Sequence, residues 1–204
     1  KALGEGHPDY ASSLNNLGLL YSNMGDYKAA EPYIKQSLEI DKKVLGEEHP
    51  DYAIALSNLG LLYFNMGDYK EAEPYIKQSL EIRKKVLYEE HPEYSNSLNS
   101  LGDLYLQMGD YSSAEHYYKQ TFEIKLGLLK TNFSWLSNNE KQAYWKKESV
   151  FYEKLSWFAS TSYSKVPSAT ELSYNCNLVS KSLLLVTSRE LDQALAASTD
   201  YSLK

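Results

Sequence analysis

Three short sets of side chains recur along this chain at spacings that suit recognition of another molecule. The first set is Ser12, Asn16, Leu19 and Asn23, the second Ile54, Asn58, Leu61 and Asn65, and the third Asn96, Ser100, Asp103 and Gln107. Asn15, Ser57 and Asn99 flank them on one side, and Ser22, Phe64 and Leu106 on the other. Steps of three and four residues put each set on one stripe of a helix. A carboxamide both donates and accepts, so it can pair with the C=O and N–H of an extended peptide. Leu19, Leu61 and Phe64 offer apolar contact between such pairs. None of the stripe residues is Lys or Arg, so a terminal carboxylate finds no cation to pair with, and Asp103 adds negative charge. A neutral or basic protein segment is therefore the better-suited ligand. The alternative is a solvated polar face that binds nothing.

Other residue types with chemical potential do not converge. His7, His49 and His91 occupy the same place in successive repeats. Packed helical units lie about 8–10 Å apart, whereas zinc needs its ligands about 2 Å from one point. A loop role is expected for them, not a metal site. Cys176 lies on an apolar helical face without a neighbouring His or basic residue, which predicts a buried, inert thiol. No acid/base pair, nucleophile triad or phosphate loop stands out, so the expectation is a non-enzyme without cofactor or metal.

The elements that must carry the stripe are set by repetition. The segment HPDYASSLNNLGLLYSNMGDYKAAEPYIKQSLEIDKKVLGEE begins at His7 and returns at His49 with seven changes; a third, more divergent copy begins at His91. The period is 42 residues, the mark of a solenoid whose units bury their apolar faces against each other. Each unit reads as two helices. In the first copy His7-Pro8-Asp9 opens helix A, with Tyr10, Leu14, Leu17 and Tyr21 on its core side. Gly25 suits a left-handed C-cap. Helix B runs from Tyr27 to about Leu45 and turns Ala30, Ile34, Leu38 and Leu45 inward. Gly18, Gly60 and Gly102 sit inside helices at a cost of about 1 kcal/mol each, which points to a close neighbouring helix. Of the seven changes, those at 12/54, 15/57 and 22/64 fall on the stripe or its flanks. The expectation is a constant core with a variable lining.

Leu14, Leu17, Gly18, Tyr21 and Ala30, repeated as Leu56, Leu59, Gly60, Tyr63 and Ala72, resemble the tetratricopeptide repeat. The longer 42-residue unit resembles those of kinesin light chains and of many bacterial repeat proteins. The resemblance covers residues 1 to about 130. It implies an all-α, right-handed superhelix of three helical hairpins, with the stripe lining a concave groove. It also implies that an Asn in the groove holds a ligand backbone; Asn16 and Asn58 match, and Ser100 departs. The groove residues expected to bind a peptide are Asn16, Leu19, Asn23, Asn58, Leu61 and Phe64, continued by Asn65, Asn99, Asp103 and Gln107.

The hairpins are expected at residues 7–48, 49–90 and 91–130, preceded at 1–6 by the end of an earlier repeat. Lys1-Ala2-Leu3-Gly4-Glu5 mirrors Lys43-Val44-Leu45-Gly46-Glu47, so the chain reads as a fragment. Residues 131–204 read as a helical capping and linker region. Ser137-Asn138-Asn139-Glu140 and Ser168-Ala169-Thr170-Glu171 are capping boxes. The first predicts a helix to about Ser162, with Tyr144, Phe151, Leu155 and Phe158 on its apolar face. The second predicts a helix with Leu172, Cys176, Val179, Leu183 and Val186 inward. A short helix over 188–197 is expected to follow. The stretches NFSWLSNNEKQAYW and VPSATELSYNCNLVSKSLLLVTSRELDQAL resemble the segment between repeats and protease domain in bacterial CHAT proteins, which are caspase-like. That resemblance implies a regulatory or sensor arm whose protease domain lies beyond Lys204.

Bulk properties narrow the partners. A net charge of −6 argues against nucleic acid. One cysteine allows no internal disulfide and fits a reducing, cytoplasmic compartment. No apolar run approaches the roughly 20 residues of a membrane span. The first expectation is thus a protein-interaction module. The second is a spacer or self-association scaffold, with Leu19, Leu61 and Phe64 packing against another copy.

Overall fold

The computed structural model describes Gly4 and residues 6–88 and 91–184. Among these residues the chain is all-α, with eight helices: α1 (Pro8–Asn23), α2 (Tyr27–Val44), α3 (Pro50–Met66), α4 (Tyr69–Val86), α5 (Pro92–Gln107), α6 (Tyr111–Phe133), α7 (Asn138–Ser162) and α8 (Ala169–Leu184). They form two compact units, one ending at Asp110 and the other beginning at Tyr111. No helix among the described residues is long and apolar enough to cross a membrane.

Local chemistry sets the helix ends. The Nδ1 atoms of His7, His49 and His91 accept the amide N–H of Asp9, Asp51 and Glu93 at 3.1, 3.1 and 3.2 Å. Each imidazole is thus the N-cap, satisfying one of the orphan donors of a helix start. Proline follows at the first turn of α1, α3 and α5. At the other end Gly25, Gly67 and Gly109 take φ of 80, 83 and 77°, a left-handed turn that glycine makes without a Cβ penalty.

In the first unit α1 pairs with α2 and α3 with α4; α2 packs on α3, and α4 on α5. The two hairpins close tightly at their glycines. A Cβ on Gly18 would lie 2.5 Å from Ile34 Cγ1, and one on Gly60 2.6 Å from Ile76 Cγ1. Successive units are tied by one repeated contact. Tyr63 Oη donates to Glu31 Oε1 at 2.9 Å, and Tyr105 Oη to Glu73 Oε1 at 2.6 Å. Lys35 and Lys77 bond the same two carboxylates at 2.6 Å and lie 5.8 and 5.6 Å from the centres of the same two tyrosine rings. These bonds, Lys35 and Lys77 first and the tyrosines second, hold Glu31 and Glu73 below the usual carboxylate range.

The expected constancy of the core does not hold. The 41/83 change is buried, with Asp41 only 6% and Arg83 9% exposed. Arg83 donates through one terminal nitrogen to Ser57, Ser79 and Ser97 at 2.7, 3.0 and 2.5 Å, and its Nε lies 3.6 Å from Glu93. The guanidinium therefore ties α3, α4 and α5 together, and Ser57, the counterpart of Asn15, is one of its acceptors. The core side of α1 also differs from that of its copies. Leu17, expected to face inward, is 37% exposed and Leu20 56%, while the equivalent Leu59, Leu62, Leu101 and Leu104 are at 1% or less. Both α3 and α5 have a preceding helix packed on that side, and none of the described residues plays that part for α1.

The second unit is built on aromatic packing. α7 begins at the first predicted capping box: Glu140 accepts from the Ser137 amide at 2.9 Å and from its hydroxyl at 2.5 Å. Phe151, Leu155 and Phe158 of α7 are buried as expected, as is Tyr152. Tyr118 and Phe122 of α6 meet Phe158 and Tyr152 edge-on, 5.0 and 5.9 Å between centres. Lys125 bonds Glu148 at 2.8 Å, both largely shielded. α8 starts where the second box predicts, but the Ser168 hydroxyl donates to Glu115 at 2.8 Å. Leu172, Cys176 and Val179 are buried. The expected helix over 188–197 and the position of Val186 lie outside the described residues.

Candidate functional site

The stripe residues stay accessible while their helix neighbours are buried. On α1, Asn16 and Asn23 are exposed and Leu19 is half-buried. On α3, Leu61 is 49% exposed, Asn65 is exposed, and Asn58 and Phe64 are half-buried. On α5, Gln107 is exposed, and Asn99 and Asp103 are half-buried. Between these positions Leu14, Gly18, Leu56, Leu59, Gly60, Leu98 and Leu101 face the interior. The wall is thus separate from the side chains that hold the hairpins together, with one exception.

That exception is Asn58. Its Nδ2 donates to Asn15 Oδ1 at 2.9 Å, bridging α3 to α1. Part of the amide's capacity is spent on stacking the hairpins, a use that sequence spacing does not reveal. Ser100 bonds the Asn96 carbonyl of its own helix at 3.0 Å, consistent with its departure from the Asn pattern.

One step further along the stripe the wall opens. A cavity of about 140 Å³ lies between α3 and α5. Ser57, Asn58, Leu61 and Phe64 form one side, Ile76 of α4 contributes from beneath, and Ser100 and Asp103 form the other side. Asn99 Nδ2 donates to Asp103 Oδ2 at 3.2 Å, fixing the carboxylate. The Ser57 hydroxyl is drawn toward α4, at 2.7 Å from both Ser79 Oγ and the Arg83 guanidinium. The cavity thus combines apolar walls, hydroxyls and one carboxylate.

The remaining candidates have structural surroundings. The three histidines cap helices, and no group of three or more His, Cys, Asp and Glu side chains among the described residues converges as a metal site. Cys176 is fully buried, and burial pushes its thiol well above the usual range, which leaves little thiolate for chemistry.

Comparison with known proteins agrees with this architecture. The Tetratricopeptide repeat family model matches residues 9–85 and 51–126. Among solved structures, BtubC (BKLC) from P. vanneervenii superposes with a TM-score of 0.65 at 18% identity, over 95% of this chain and 66% of its own length. This chain thus spans just under two thirds of BtubC. A kinesin-light-chain candidate from Podosopora anserina with nearly identical TPR-like repeats gives a TM-score of 0.55 at 19% identity, over 97% of this chain and 99% of that one. A point variant of the same fungal protein superposes with the same TM-score of 0.55. No curated protein matches the chain. With the family model spanning more than half of its residues, the chain belongs to the tetratricopeptide repeat family.

Proposed function

We propose that the chain is a non-enzymatic interaction module that holds an extended protein or peptide segment along the stripe of α1, α3 and α5, in a groove running across the hairpins. The observation that carries this reading is the separation of roles along each helix. Asn16, Leu61, Asn65 and Gln107 remain open between residues that are buried, so these side chains are not needed for folding. Carboxamides spaced along the wall suit a peptide backbone, and leucine and phenylalanine between them suit its side chains. The absence of a cation from the stripe favours a neutral or basic segment over a terminal carboxylate.

The test uses a library of random dodecapeptides displayed on phage, selected against the whole chain. Asn16→Ala combined with Leu61→Ala removes one backbone contact and one apolar contact without touching the Asn58–Asn15 bridge. Recovery of binders is expected to fall at least about tenfold with helicity and melting unchanged. Undiminished recovery, or no binders to the unaltered chain, removes the groove reading.

We further infer a regulatory arm within a larger bacterial CHAT-type protein. What supports this is the resemblance of residues 130–200 to the linker before such protease domains. The test is the genomic reading frame: a downstream strand-rich domain with a spaced His and Cys is expected, and any other neighbour removes this context. A spacer or self-association scaffold is the second reading, favoured by the exposed Leu61 and Ile54. Light scattering across concentrations decides it, since a dimer abolished by Phe64→Ser supports the scaffold.

A further inference from the structure

We propose that the outer face of α1 docks the second helix of a further repeat hairpin of the same polypeptide, and that this helix carries arginine where α2 carries Asp41. The inference concerns the end of the stack and does not depend on the groove. Its template is internal. α2 packs on α3 and α4 on α5, and no helix among the described residues plays that part for α1. Ser13, Leu17, Leu20 and Met24 therefore lie exposed along one stripe of α1. Their counterparts in α5, Ser97, Leu101 and Leu104, are buried. Tyr63 and Tyr105 complete the same contact by donating to Glu31 and Glu73 of the preceding helix, and Tyr21 stands at that place in α1. The stripe thus continues an interface that the chain already uses twice.

Polar chemistry on the stripe selects between the two kinds of second helix that the hairpins contain. The α4 kind is basic at the contact: Arg83 donates to Ser97 of α5 at 2.5 Å and lies 3.6 Å from Glu93. The α2 kind is acidic. At the equivalent positions it has Asp41, and α3 has Ala55 and Asp51. α1 presents Asp9 and Ser13 at the places of Glu93 and Ser97. Ser97 Oγ donates its one proton to the Glu93 carbonyl at 3.2 Å, and Ser13 Oγ donates likewise to the Asp9 carbonyl at 2.8 Å. Each hydroxyl then has only lone pairs to offer, which accept from a guanidinium and give nothing to a carboxylate. Asp9 favours the same choice, since its charge attracts a cation and repels an acid. At this contact α1 therefore matches α5 and not α3, its closer copy in sequence. A helix with glutamate opposite Tyr21 and arginine ten residues later, the spacing of Glu73 and Arg83, meets both polar positions. Its apolar residues between them cover Leu17 and Leu20.

The test extends the whole chain by one hairpin, a copy of residues 49–90 placed directly before His7, so that its second helix precedes α1 as α4 precedes α5. A second extended chain carries Arg83→Asp in the added copy alone. Urea unfolding is followed with Leu20→Ala and with Ser13→Ala in each, and in the unextended chain. Both residues are exposed there, so neither variant endangers its folding. Leu20→Ala is expected to lower the folding equilibrium constant at least about thirtyfold once the hairpin is added, against less than about fivefold without it. Ser13→Ala is expected to lower it about tenfold where the added helix carries arginine and less than about twofold where it carries aspartate. An effect of Leu20→Ala that the extension leaves unchanged overturns the docking. Equal effects of Ser13→Ala in the two extended chains overturn the choice of arginine. The natural occupant is read from the genomic reading frame, where the codon one 42-residue period ahead of Asp41 is expected to encode arginine. Any residue other than arginine or lysine there, or no repeat at all, overturns the proposal and leaves the groove reading untouched.

Discussion

At the scale of single residues, position and close packing outweigh intrinsic preference. Gly60 sits inside α3, where alanine would favour the helix by about 1 kcal/mol. Yet its Cβ would lie 2.6 Å from Ile76 Cγ1 and 3.3 Å from the Ala72 carbonyl. Ile76 is β-branched and confined by the helix, so it has little freedom to withdraw. Overpacking wins, and Gly60→Ala is expected to destabilise the chain by about 1–2 kcal/mol, read from urea midpoints at unchanged slope. Asp41 shows the same conflict in electrostatic form. Burial raises its carboxyl above the ordinary range, Asp51 raises it further, and His49 partly opposes them. The folded state therefore holds the proton more tightly than the unfolded chain. The charged form weakens folding as pH climbs from the usual carboxylate range, about 4, through the raised value, and the loss persists at neutral pH. Asp41→Asn is expected to melt higher than the parent at pH 7, with the gain shrinking on acidification through that window. A gain that stays constant with pH would show that the carboxylate charge is not the cause.

At the scale of helices, the repeated tie between units gives an internal control. Tyr63 and Tyr105 each donate to a glutamate of the preceding hairpin. Tyr21, at the same place in α1, stacks on Tyr33 of its own hairpin at 5.6 Å. Tyr63→Phe and Tyr105→Phe are each expected to cost about 0.5–1.5 kcal/mol, and Tyr21→Phe to leave stability nearly unchanged in the same denaturation series. What was legible in the sequence divides along this line. Helix starts at His7, His49 and His91, stops at Gly25, Gly67 and Gly109, and the stripe around Asn16 and Leu61 follow from spacing within one helix. A loop role for the histidines overlooks their place one residue before Pro, itself an N-cap signal. The burial of Asp41 and Arg83, and the Asn58–Asn15 bridge, depend on how one hairpin lies against the next. A 42-residue period announces that such packing exists but does not say which side chains meet. The cavity beside Asp103 is hidden for the same reason, since its walls come from α3, α4 and α5 together.

At the scale of the array, identical residues differ in energetic weight because a stacked unit gains stability from its neighbours. Leu20 and Leu62 share a side chain, a helix position and nearly identical flanking sequence. They differ in what lies against them: Leu20 is 56% exposed and Leu62 1%. Leu62→Ala removes fully buried methyl groups and leaves a cavity that packed helices refill only in part, an expected loss of about 2–5 kcal/mol. Leu20→Ala removes a side chain that already meets water, and the expected loss is below about 1 kcal/mol. Thermal and urea unfolding of the two variants measure the difference. Equal losses would mean that Leu20 is covered in solution. If light scattering of the parent then showed a dimer that Leu20→Ala dissolves, the covering surface would be another copy, and the scaffold reading would displace the groove as the chain's main role. Unequal losses with a monomeric parent leave α1 uncovered and keep the stripe of α1, α3 and α5 as the surface on which recognition has to be tested.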